Sequence, residues 1–501
     1  MSGRDWQKFF WRNTGTNYLR TLLRMGSGVV LFRLTFQHLS QEQFGFYSLL
    51  WSLFGYTILL DFGLGFTAQK AVAEKTATNK IGELNHLICT IFWTFAFLGA
   101  VILAVFSVAQ PWFLIWTKVS PENLHTLGIG YTIFFTAMAL AFPLGIFPEM
   151  LRGLQRIDLA NWVTIGALIL NLVLMTWALL AEWAFPWIVF ISVATTVAPN
   201  FIALIMVFQR IKGFSLHPKH FRFAAIQGVL SFSIVAYLIT FTNLIMARTD
   251  QAVISIGIGI SFVALYQAGY KAAEMFGLFS VQMQDALTPA AAQMNVHNDH
   301  GGLRELLVKS TQLTLFLTTP LYGLCAVYMV PIIKLLTGLK AVDSSTFWVG
   351  QSLLLATFSS LLTNSCSKRI LMMCGWERKL LKISLVDAGI NLAASLILVR
   401  HYGILGVALG TMVPTVLLGW FWLVPLTAHF LKISLLEMSG LFIRKVAPPV
   451  SSSLFALGAL AWLVPASATA SFPAYIWRGA VVMGVLAATG WPFLKQIKSR
   501  A

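Results

Sequence analysis

Long apolar runs alternate with short polar breaks along the whole chain. Each run is roughly 20 residues long, the length that a helix needs to cross about 30 Å of hydrocarbon at 1.5 Å per residue. We count fourteen runs, of which the eighth is long enough to be kinked: residues 14–36, 44–66, 85–108, 127–148, 162–183, 186–208, 227–247, 252–288, 310–337, 347–367, 381–399, 404–429, 447–465 and 476–494. The pattern predicts an all-α integral membrane protein with about 14 transmembrane helices.

Composition agrees with this interpretation. Of the 501 residues, 57% are hydrophobic and only 11% are charged, whereas soluble proteins carry about 25% charged residues. The four cysteines do not have the spacing of metal ligands, and we expect neither a disulfide framework, a metal site nor a cofactor.

The charge balance concerns topology more than ligands. The chain has 35 basic and 18 acidic residues and a net charge of +17, which would suggest nucleic acid in a soluble protein. If the amino terminus is cytoplasmic, 25 of the 35 basic residues fall on the inner breaks and tails, as the positive-inside rule requires. We therefore expect an even number of spans, both termini in the cytoplasm and no nucleic-acid partner. The outer breaks are short, the longest being about residues 109–126.

Two pairs of similar segments predict an internal repeat. Residues 153–156 resemble residues 375–378 at an offset of 222, and residues 73–84 resemble residues 292–303 at an offset of 219. Two offsets that agree within three residues indicate a six-span unit duplicated in the same orientation, an architecture typical of transporters. The predicted organisation is a cytoplasmic amino terminus (1–13), a six-helix bundle (14–208), a cytoplasmic linker (209–226), a second six-helix bundle (227–430), an extra two-helix segment (431–494) and a basic cytoplasmic tail (495–501).

The first span is unusually polar. Its polar residues are spaced by three or four positions and so form one stripe on a helix face: Asn13, Asn17, Arg20, Arg24 and Ser27. A charged residue near the middle of the bilayer costs about 2.5 to 3.5 kcal/mol, so the two arginines must face water or a partner. The favoured interpretation is a cavity lining. The alternative is that both side chains extend to the inner surface.

A third basic residue, Lys271, lies in the eighth span, and Glu274 follows three positions later. An ion pair along the helix would neutralise this lysine and is an equally good interpretation. A cavity with Arg20, Arg24 and Lys271 would favour an anion, and arginine can bind two phosphate oxygens at once. These residues therefore predict a ligand with phosphate or carboxylate groups, such as a diphosphate.

The acidic groups in or near spans leave several roles open. Asp61 and Asp387, with Asn391 one turn after the latter, could pair with a cavity cation, bind a coupling proton or ion, or cap a helix turn. Asn17 and Glu274 are further polar candidates for the cavity. Arg248 and Asp250 are expected at the outer turn between spans seven and eight, where a local ion pair is the plain interpretation.

Several motifs together resemble a known family. They are Asn17 in the polar first span, residues 44–49 (FGFYSL), 60–65 (LDFGLG), 152–156 (RGLQR), 266–271 (YQAGYK), Pro289 and residues 403–408 (GILGVA). In order and spacing they look like the polysaccharide-transporter branch of the multidrug/oligosaccharidyl-lipid/polysaccharide (MOP) exporter superfamily. The resemblance covers about residues 10 to 430 and implies a MATE/MOP-like fold with two six-helix bundles in a parallel pseudo-two-fold repeat.

The resemblance also implies a function. Members of this branch are flippases of the bacterial inner membrane that move undecaprenyl-diphosphate-linked oligosaccharides, the repeat units of O-antigen or exopolysaccharide, by alternating access. By position, Arg20, Arg24 and Lys271 match sites where related flippases place basic residues. The implied partners are the lipid-linked oligosaccharide, membrane lipids, and a glycan polymerase and glycosyltransferases of the same pathway.

Two other functions would place different demands on the sequence. A multidrug or cation antiporter of the same superfamily would need an acidic group deep in a span, where the first span instead has arginines. A membrane glycosyltransferase or glycan polymerase would need catalytic groups on a sizeable outer loop, and the outer breaks are too short for one. We therefore expect a transporter and not an enzyme.

Overall fold

The structure is a computed structural model that describes residues 3–56, 64–222, 234–285, 294, 300–363, 365–441, 443–444 and 451. The described residues form helices and short connections, with no strand among them. This confirms the predicted all-α fold. Except for residue 451, the predicted spans 447–465 and 476–494 lie outside the described residues, as does Asp61.

Eight α-helices lie in the described residues up to Arg210. They are α1 (Gly3–His38), α2 (Gln41–Gly55), α3 (Leu64–Ala77), α4 (Ile81–Trp116), α5 (Leu124–Leu144), α6 (Ile146–Gly153), α7 (Ile157–Leu180) and α8 (Phe185–Arg210). The start of α2 is fixed by a capping box, in which the Ser40 side chain accepts the Gln43 N–H and the Gln43 side chain accepts the Ser40 N–H.

Nine further α-helices lie in the described residues from 234 onwards. They are α9 (Ile234–Gly257), α10 (Ser261–Asp285), α11 (His300–Val327), α12 (Met329–Thr337), α13 (Ser344–Thr363), α14 (Ser365–Met373), α15 (Glu377–Leu418), α16 (Val424–Phe430) and α17 (Leu435–Leu441). The helix α15 is interrupted at Gly403, whose φ of 58° and ψ of −137° are not helical. It therefore contains the span predicted at 381–399 and the start of the one predicted at 404–429.

Backbone conformation confirms the internal repeat. Residues with positive φ end corresponding helices about 220 positions apart in four pairs: Lys118 and Gly338, Gln155 and Gly375, Glu182 and Gly403, Gly213 and Lys432. The hydrogen bonds that close the turns also correspond. The Arg156 N–H donates to the Leu151 carbonyl at 3.0 Å, and the Trp376 N–H donates to the Leu371 carbonyl at 3.0 Å. Both are the long-range bond of a helix end with a left-handed residue.

The chain divides into two compact units. The N unit comprises residues 1–237 and 259–264, and the C unit comprises residues 238–258 and 265–501. Each unit has a hydrophobic cluster built from corresponding positions of the repeat. The pairs are Met150 and Ile370, Leu151 and Leu371, Ala160 and Leu380, Ala203 and Leu423, and Ile211 and Leu431. The sequence repeat is thus also a repeat of packing.

The connections between the helices of the N unit form two groups, and the members of each group contact one another. Glu42, at the start of α2, accepts a hydrogen bond from the Ser120 hydroxyl at 2.7 Å, and the Ile260 N–H donates to the Thr117 carbonyl at 3.2 Å. In the other group, Ile81 and Leu154 pack on a cluster that contains Phe214. Alternate connections therefore meet at the same end of the unit, as a set of membrane spans requires.

Three predicted boundaries were wrong. The predicted eighth span (252–288) is divided, because α9 extends to Gly257 and Gly259 turns the chain with a φ of 128°. Arg248 and Asp250 consequently lie inside α9 and not at a turn. The outer connection expected at 109–126 is shortened to residues 117–123 because α4 and α5 extend into it, and α2 ends at Gly55, well before the predicted limit of residue 66.

Long apolar helices are abundant in the described part of the chain. Five of its helical stretches are long and apolar enough to span a bilayer: Ile81–Trp116, Leu124–Gly153, Ile157–Leu180, Phe185–Arg210 and Glu377–Phe430. Large apolar side chains on them are exposed, such as Phe97 at 68% and Phe421 at 78%. Such surfaces are costly in water and suit lipid, so the protein is a multi-pass membrane protein.

Candidate substrate-binding site

The polar face of α1 lies against α7 in the N unit. The buried amide of Asn161 on α7 donates to the Thr16 hydroxyl at 3.0 Å, and Thr16 is itself buried. Arg20 follows Thr16 by one helical turn and is half-buried, whereas Arg24, a further turn along, is exposed. Asn17 lies on α1, but its side chain is outside the described residues. The Thr16–Asn161 bond therefore sets the rotation of α1 at its arginines.

A cavity of about 250 Å³ lies in the same unit, and no residue of α1 is among those that line it. Its walls come from the segment before α6 and from α6, α7 and α8: Gly145, Pro148, Glu149, Arg152, Ala160, Val163, Thr164, Pro199, Asn200 and Ala203. Arg152 and Glu149 form an ion pair one turn apart on α6. The cavity thus offers a guanidinium group, a hydroxyl and an amide to a ligand.

Arg152 is close enough to Arg20 for their charges to interact, and Arg24 acts on Arg20 in the same way. Among the described residues, Glu149 is the carboxylate that pairs within this group, and it pairs with Arg152. Arg152 lines the cavity and Arg20 is close to Arg152, so an excess of positive charge lies near the cavity, to which Arg24 adds through its proximity to Arg20. In surroundings of low dielectric, such an excess attracts an anion strongly.

The sequence interpretation missed Arg152, which it counted among residues that only set topology. The available signal was the pair of Glu149 and Arg152 three positions apart, because that spacing puts both on one helix face. What the sequence could not show is that this face borders a cavity next to α1.

Lys271 lies on α10 in the C unit. Its Nζ is 2.7 Å from Glu274 Oε2, so the ion pair considered from the sequence is formed. Both side chains are about 30% exposed. In the repeat, Lys271 corresponds to Trp51 on α2 and not to either arginine of α1. Its role in binding a substrate stays a prediction.

The C unit also contains two buried carboxyl groups. Asp250, on α9, accepts hydrogen bonds from the Tyr266 hydroxyl and from the Thr411 hydroxyl. Asp387 and Asn391 lie one turn apart on α15 and are 3% and 2% exposed. Among the described residues, Asp387 Oδ1 and Asn391 Nδ2 have no hydrogen-bond partner, and Lys368 is close enough to interact electrostatically with Asp387.

In the first repeat, the asparagine that corresponds to Asn391 has a hydrogen-bond partner. Asn171 donates to the Thr195 hydroxyl at 2.6 Å. Asn391 has no such bond among the described residues, although the repeat places Thr415 opposite it. A buried donor and a buried acceptor that both lack partners are costly, and such a pair is typical of a site that takes a further group.

The sequence of the chain matches one known protein family. A family model described as "Polysaccharide biosynthesis protein" matches residues 30–345, which is more than half of the chain. The chain belongs to this family. A comparison with curated protein sequences finds no significant match.

Solved structures similar to this family member share its fold across nearly the whole chain. The lipid II flippase MurJ in an inward closed conformation matches with a TM-score of 0.72 and 16% identity, over 95% of this chain and 99% of that one. An inward-facing multidrug resistance MATE transporter of the MOP superfamily matches with a TM-score of 0.65 and 14% identity, over 85% and 96%. A MOP superfamily transporter from Pyrococcus furiosus matches with a TM-score of 0.52 and 12% identity, over 86% and 94%. The fold is that of MOP superfamily transporters.

Proposed function

We propose that this protein is a flippase that moves undecaprenyl-diphosphate-linked oligosaccharide repeat units across the bacterial inner membrane by alternating access. The products would serve O-antigen or exopolysaccharide biosynthesis. The observation that carries the proposal is the excess positive charge of Arg20, Arg24 and Arg152 beside the cavity of the N unit. A neutral or cationic substrate gives no reason to concentrate guanidinium groups in a membrane span.

The geometry suits a diphosphate. A planar guanidinium group can bind two phosphate oxygens with parallel hydrogen bonds, and a diphosphate offers several such pairs. Arg24 is exposed on the surface of α1 and is free to make this contact, while Arg20 is half-buried behind it. Lys271, in the C unit, is a separate candidate for binding the anionic substrate once its bond to Glu274 is given up. The polyprenyl tail would remain in the bilayer, where the exposed apolar helices already lie.

Coupling to an ion or proton is a second part of the proposal. Asp387 and Asn391 are buried next to each other with unused hydrogen-bonding atoms. We assign them as the candidate coupling groups, with Asp61, Glu274 and Asn17 as further polar candidates. The supporting observation is that a carboxylate buried in this way gains most from a bound cation or proton.

The pathway partners follow from the substrate. A lipid-linked oligosaccharide must be assembled by glycosyltransferases before it is moved and consumed by a glycan polymerase afterwards. The proposed location is the inner membrane, with both termini in the cytoplasm, because this orientation places most of the basic breaks on the inner side.

The expected result of Arg24→Ala is a loss of glycan export of at least about tenfold, because a hydrogen bond to a charged group contributes about 1.5 to 3 kcal/mol. Export is measured as surface glycan in cells that lack the chromosomal gene and carry the variant on a plasmid, with the amount of protein in the membrane checked by immunoblot. Arg400→Ala removes an exposed arginine near the break in α15 and should export normally. Normal export by the Arg24 variant would remove the role proposed for this residue.

The rival function is a multidrug or cation antiporter, which the buried carboxyl groups of Asp250 and Asp387 favour. An antiporter would protect cells from cationic drugs, and its activity would depend on these two residues and not on Arg24. Drug susceptibility of the same strains separates the two functions. The flippase proposal predicts that susceptibility is unchanged when the gene is deleted.

A further inference from the structure

Residues 211–222, which we call the strap, follow α8 and lie along α4. The Asn85 side chain donates to the Gly213 carbonyl at 2.8 Å and accepts the Ser215 N–H at 3.2 Å. The Thr90 hydroxyl accepts the Arg222 N–H at 2.9 Å. Polar side chains on one face of α4 therefore hold the backbone of the strap along its length.

Two more residues of α4 bind carbonyl groups of the strap. His86 Nδ1 donates to the His220 carbonyl at 2.9 Å, and Trp93 Nε1 donates to the Leu216 carbonyl at 3.1 Å. The His220 ring also packs against the His86 ring, with 5.3 Å between the ring centroids. The exposed side chains of the strap are mostly basic: Lys212, His217, Pro218, Lys219, Phe221 and Arg222.

The strap lies at the level where the lipid-facing surface begins. The face of α4 that it covers, from Asn85 to Trp93, continues beyond the strap as an exposed apolar stripe of Phe97, Val101 and Val105. Arg222 is bonded to Thr90, and Thr90 lies about 13 Å along α4 from the first residue of that helix, Ile81. Trp93, at the end of the covered face, is 38% exposed, as is common for tryptophan at the edge of the hydrocarbon.

The segment of the second repeat that corresponds to the strap is α17, and it has a similar location. There α17 follows the last helix of its repeat, and Arg304 Nη1 on α11 lies 2.7 Å from Glu437 Oε1 on α17. Leu435 and Leu436 on α17 are 56% and 85% exposed. Exposed leucines at this point of the repeat fit the boundary between headgroups and acyl chains better than water.

We propose that the strap is a binding surface for the headgroups of anionic phospholipids. Three features support this assignment. The backbone of the strap is fixed to α4, so its basic side chains are presented at one level. That level adjoins the apolar stripe, where phosphate groups of the nearest leaflet lie. Finally, Phe221, which is 43% exposed between His220 and Arg222, can enter the acyl boundary while the neighbouring charges bind phosphate.

The test uses the full-length protein in lipid nanodiscs. Hydrogen exchange of peptides that cover residues 211–222 is measured in discs of phosphatidylcholine alone and in discs with one part in about three phosphatidylglycerol. Phosphatidylglycerol should slow exchange of the strap several-fold. Adding 0.5 M salt should remove most of this effect, because salt shortens the screening length of electrostatic interactions, which is about 3 Å at 1 M salt. Each basic residue near an anionic surface contributes about fivefold to binding.

Two variants provide the comparison. Lys212→Gln combined with Lys219→Gln and Arg222→Gln should abolish the effect of phosphatidylglycerol, since the backbone contacts to α4 do not involve these side chains. Lys70→Gln combined with Lys80→Gln and Arg378→Gln removes the same charge from exposed positions outside the strap and should keep the effect. An unchanged effect in the strap variant, or no effect in the unaltered protein, would overturn the proposal.

An acidic protein partner is the other chemistry that such a surface could attract. Polyglutamate added to discs of phosphatidylcholine alone serves as its probe. Slower exchange with polyglutamate and not with phosphatidylglycerol would refute the lipid assignment. The substrate of the transporter does not enter this experiment, so its outcome is independent of the flippase proposal.

Discussion

Arg20 and Arg24 lie on α1, the helix of the predicted first span, and neither has a carboxylate partner among the described residues. An arginine at the middle of a bilayer costs about 2.5 to 3.5 kcal/mol. Arg152 is close enough to Arg20 for their charges to interact, and it borders the cavity. A bound polyanion would compensate all three, which is why these residues dominate the functional proposal.

The contribution of Arg152 can be separated from that of its neighbour in sequence. Arg152→Gln should weaken binding of inorganic diphosphate to the purified protein about tenfold or more, because a charged hydrogen bond at the cavity is lost. Arg156→Gln is the matched control, since Arg156 bonds to Asp158 at 3.3 Å and is outside the cavity lining. Binding is followed by the shift in melting temperature with diphosphate concentration. Equal weakening in both variants would mean that the cavity does not hold the anion.

Lys271 calls for a paired test because its charge is shared with Glu274. If the lysine binds substrate, Lys271→Met should reduce glycan export, and export should stay low when Glu274→Gln is added. Export is measured in the cellular assay with protein amounts matched. Recovery of full export in the double variant would show that Lys271 serves only to neutralise Glu274.

Sequence patterns were sufficient for some of these residues and not for others. The stripe of Arg20 and Arg24 follows from helical spacing alone, and the bond between Lys271 and Glu274 follows from their separation. The positions of Arg152 and Asp250 do not. Arg152 depends on which helices pack around α6, and Asp250 depends on Tyr266 and Thr411, which lie far away in sequence.

At the scale of helices, apolar runs locate spans well and their ends poorly. The turn between α9 and α10 consists of Ile258, Gly259 and Ile260, so no polar residue marks it. Only the positive φ of Gly259 shows where the chain turns. The sequence pattern assigns the first residues of α3 to a span and the basic residues after them to a polar break. In the structure, α3 is one continuous helix from Leu64 to Ala77.

The strap should respond to pH. Burial and the nearby positive charge of His86 lower the pKa of His220, and His217, Lys219 and Arg222 act in the same direction. A histidine with a lowered pKa stabilises the folded arrangement above its unfolded value, near pH 6.5, and this contribution is lost as pH falls through the folded pKa. Acidification from about pH 7 to pH 5 should therefore favour release of the strap from α4.

Hydrogen exchange in phosphatidylcholine discs measures this release. Exchange of residues 211–222, corrected for the intrinsic effect of pH, should rise several-fold, while exchange of residues 117–123 at the other end of the N unit should not change. His220→Gln keeps the backbone carbonyl that His86 binds and should remove the pH dependence. A variant that retains the full dependence would show that His220 is not the responsible group.

At the scale of the whole chain, the repeat connects sequence to fold. Its offset of about 220 residues is visible in short motifs of the sequence and again in the left-handed residues and hydrophobic clusters of the structure. The two repeats nevertheless differ in how their buried carboxyl groups are paired. Asp158 in the N unit is bonded to Arg156, whereas Asp387 in the C unit has one oxygen without a hydrogen-bond partner among the described residues. This difference supports the proposal that Asp387 is a coupling group.

Flipping by the purified protein is the direct test of the proposed function. The protein is reconstituted into liposomes with a fluorescent undecaprenyl-diphosphate-linked oligosaccharide, and a membrane-impermeant reagent that quenches the label reports the fraction in the outer leaflet. We expect the unaltered protein to expose lipid from the inner leaflet and Arg24→Ala to do so at least about tenfold more slowly. No flipping by the unaltered protein under any imposed ion gradient, or equal flipping by both proteins, would contradict the proposal.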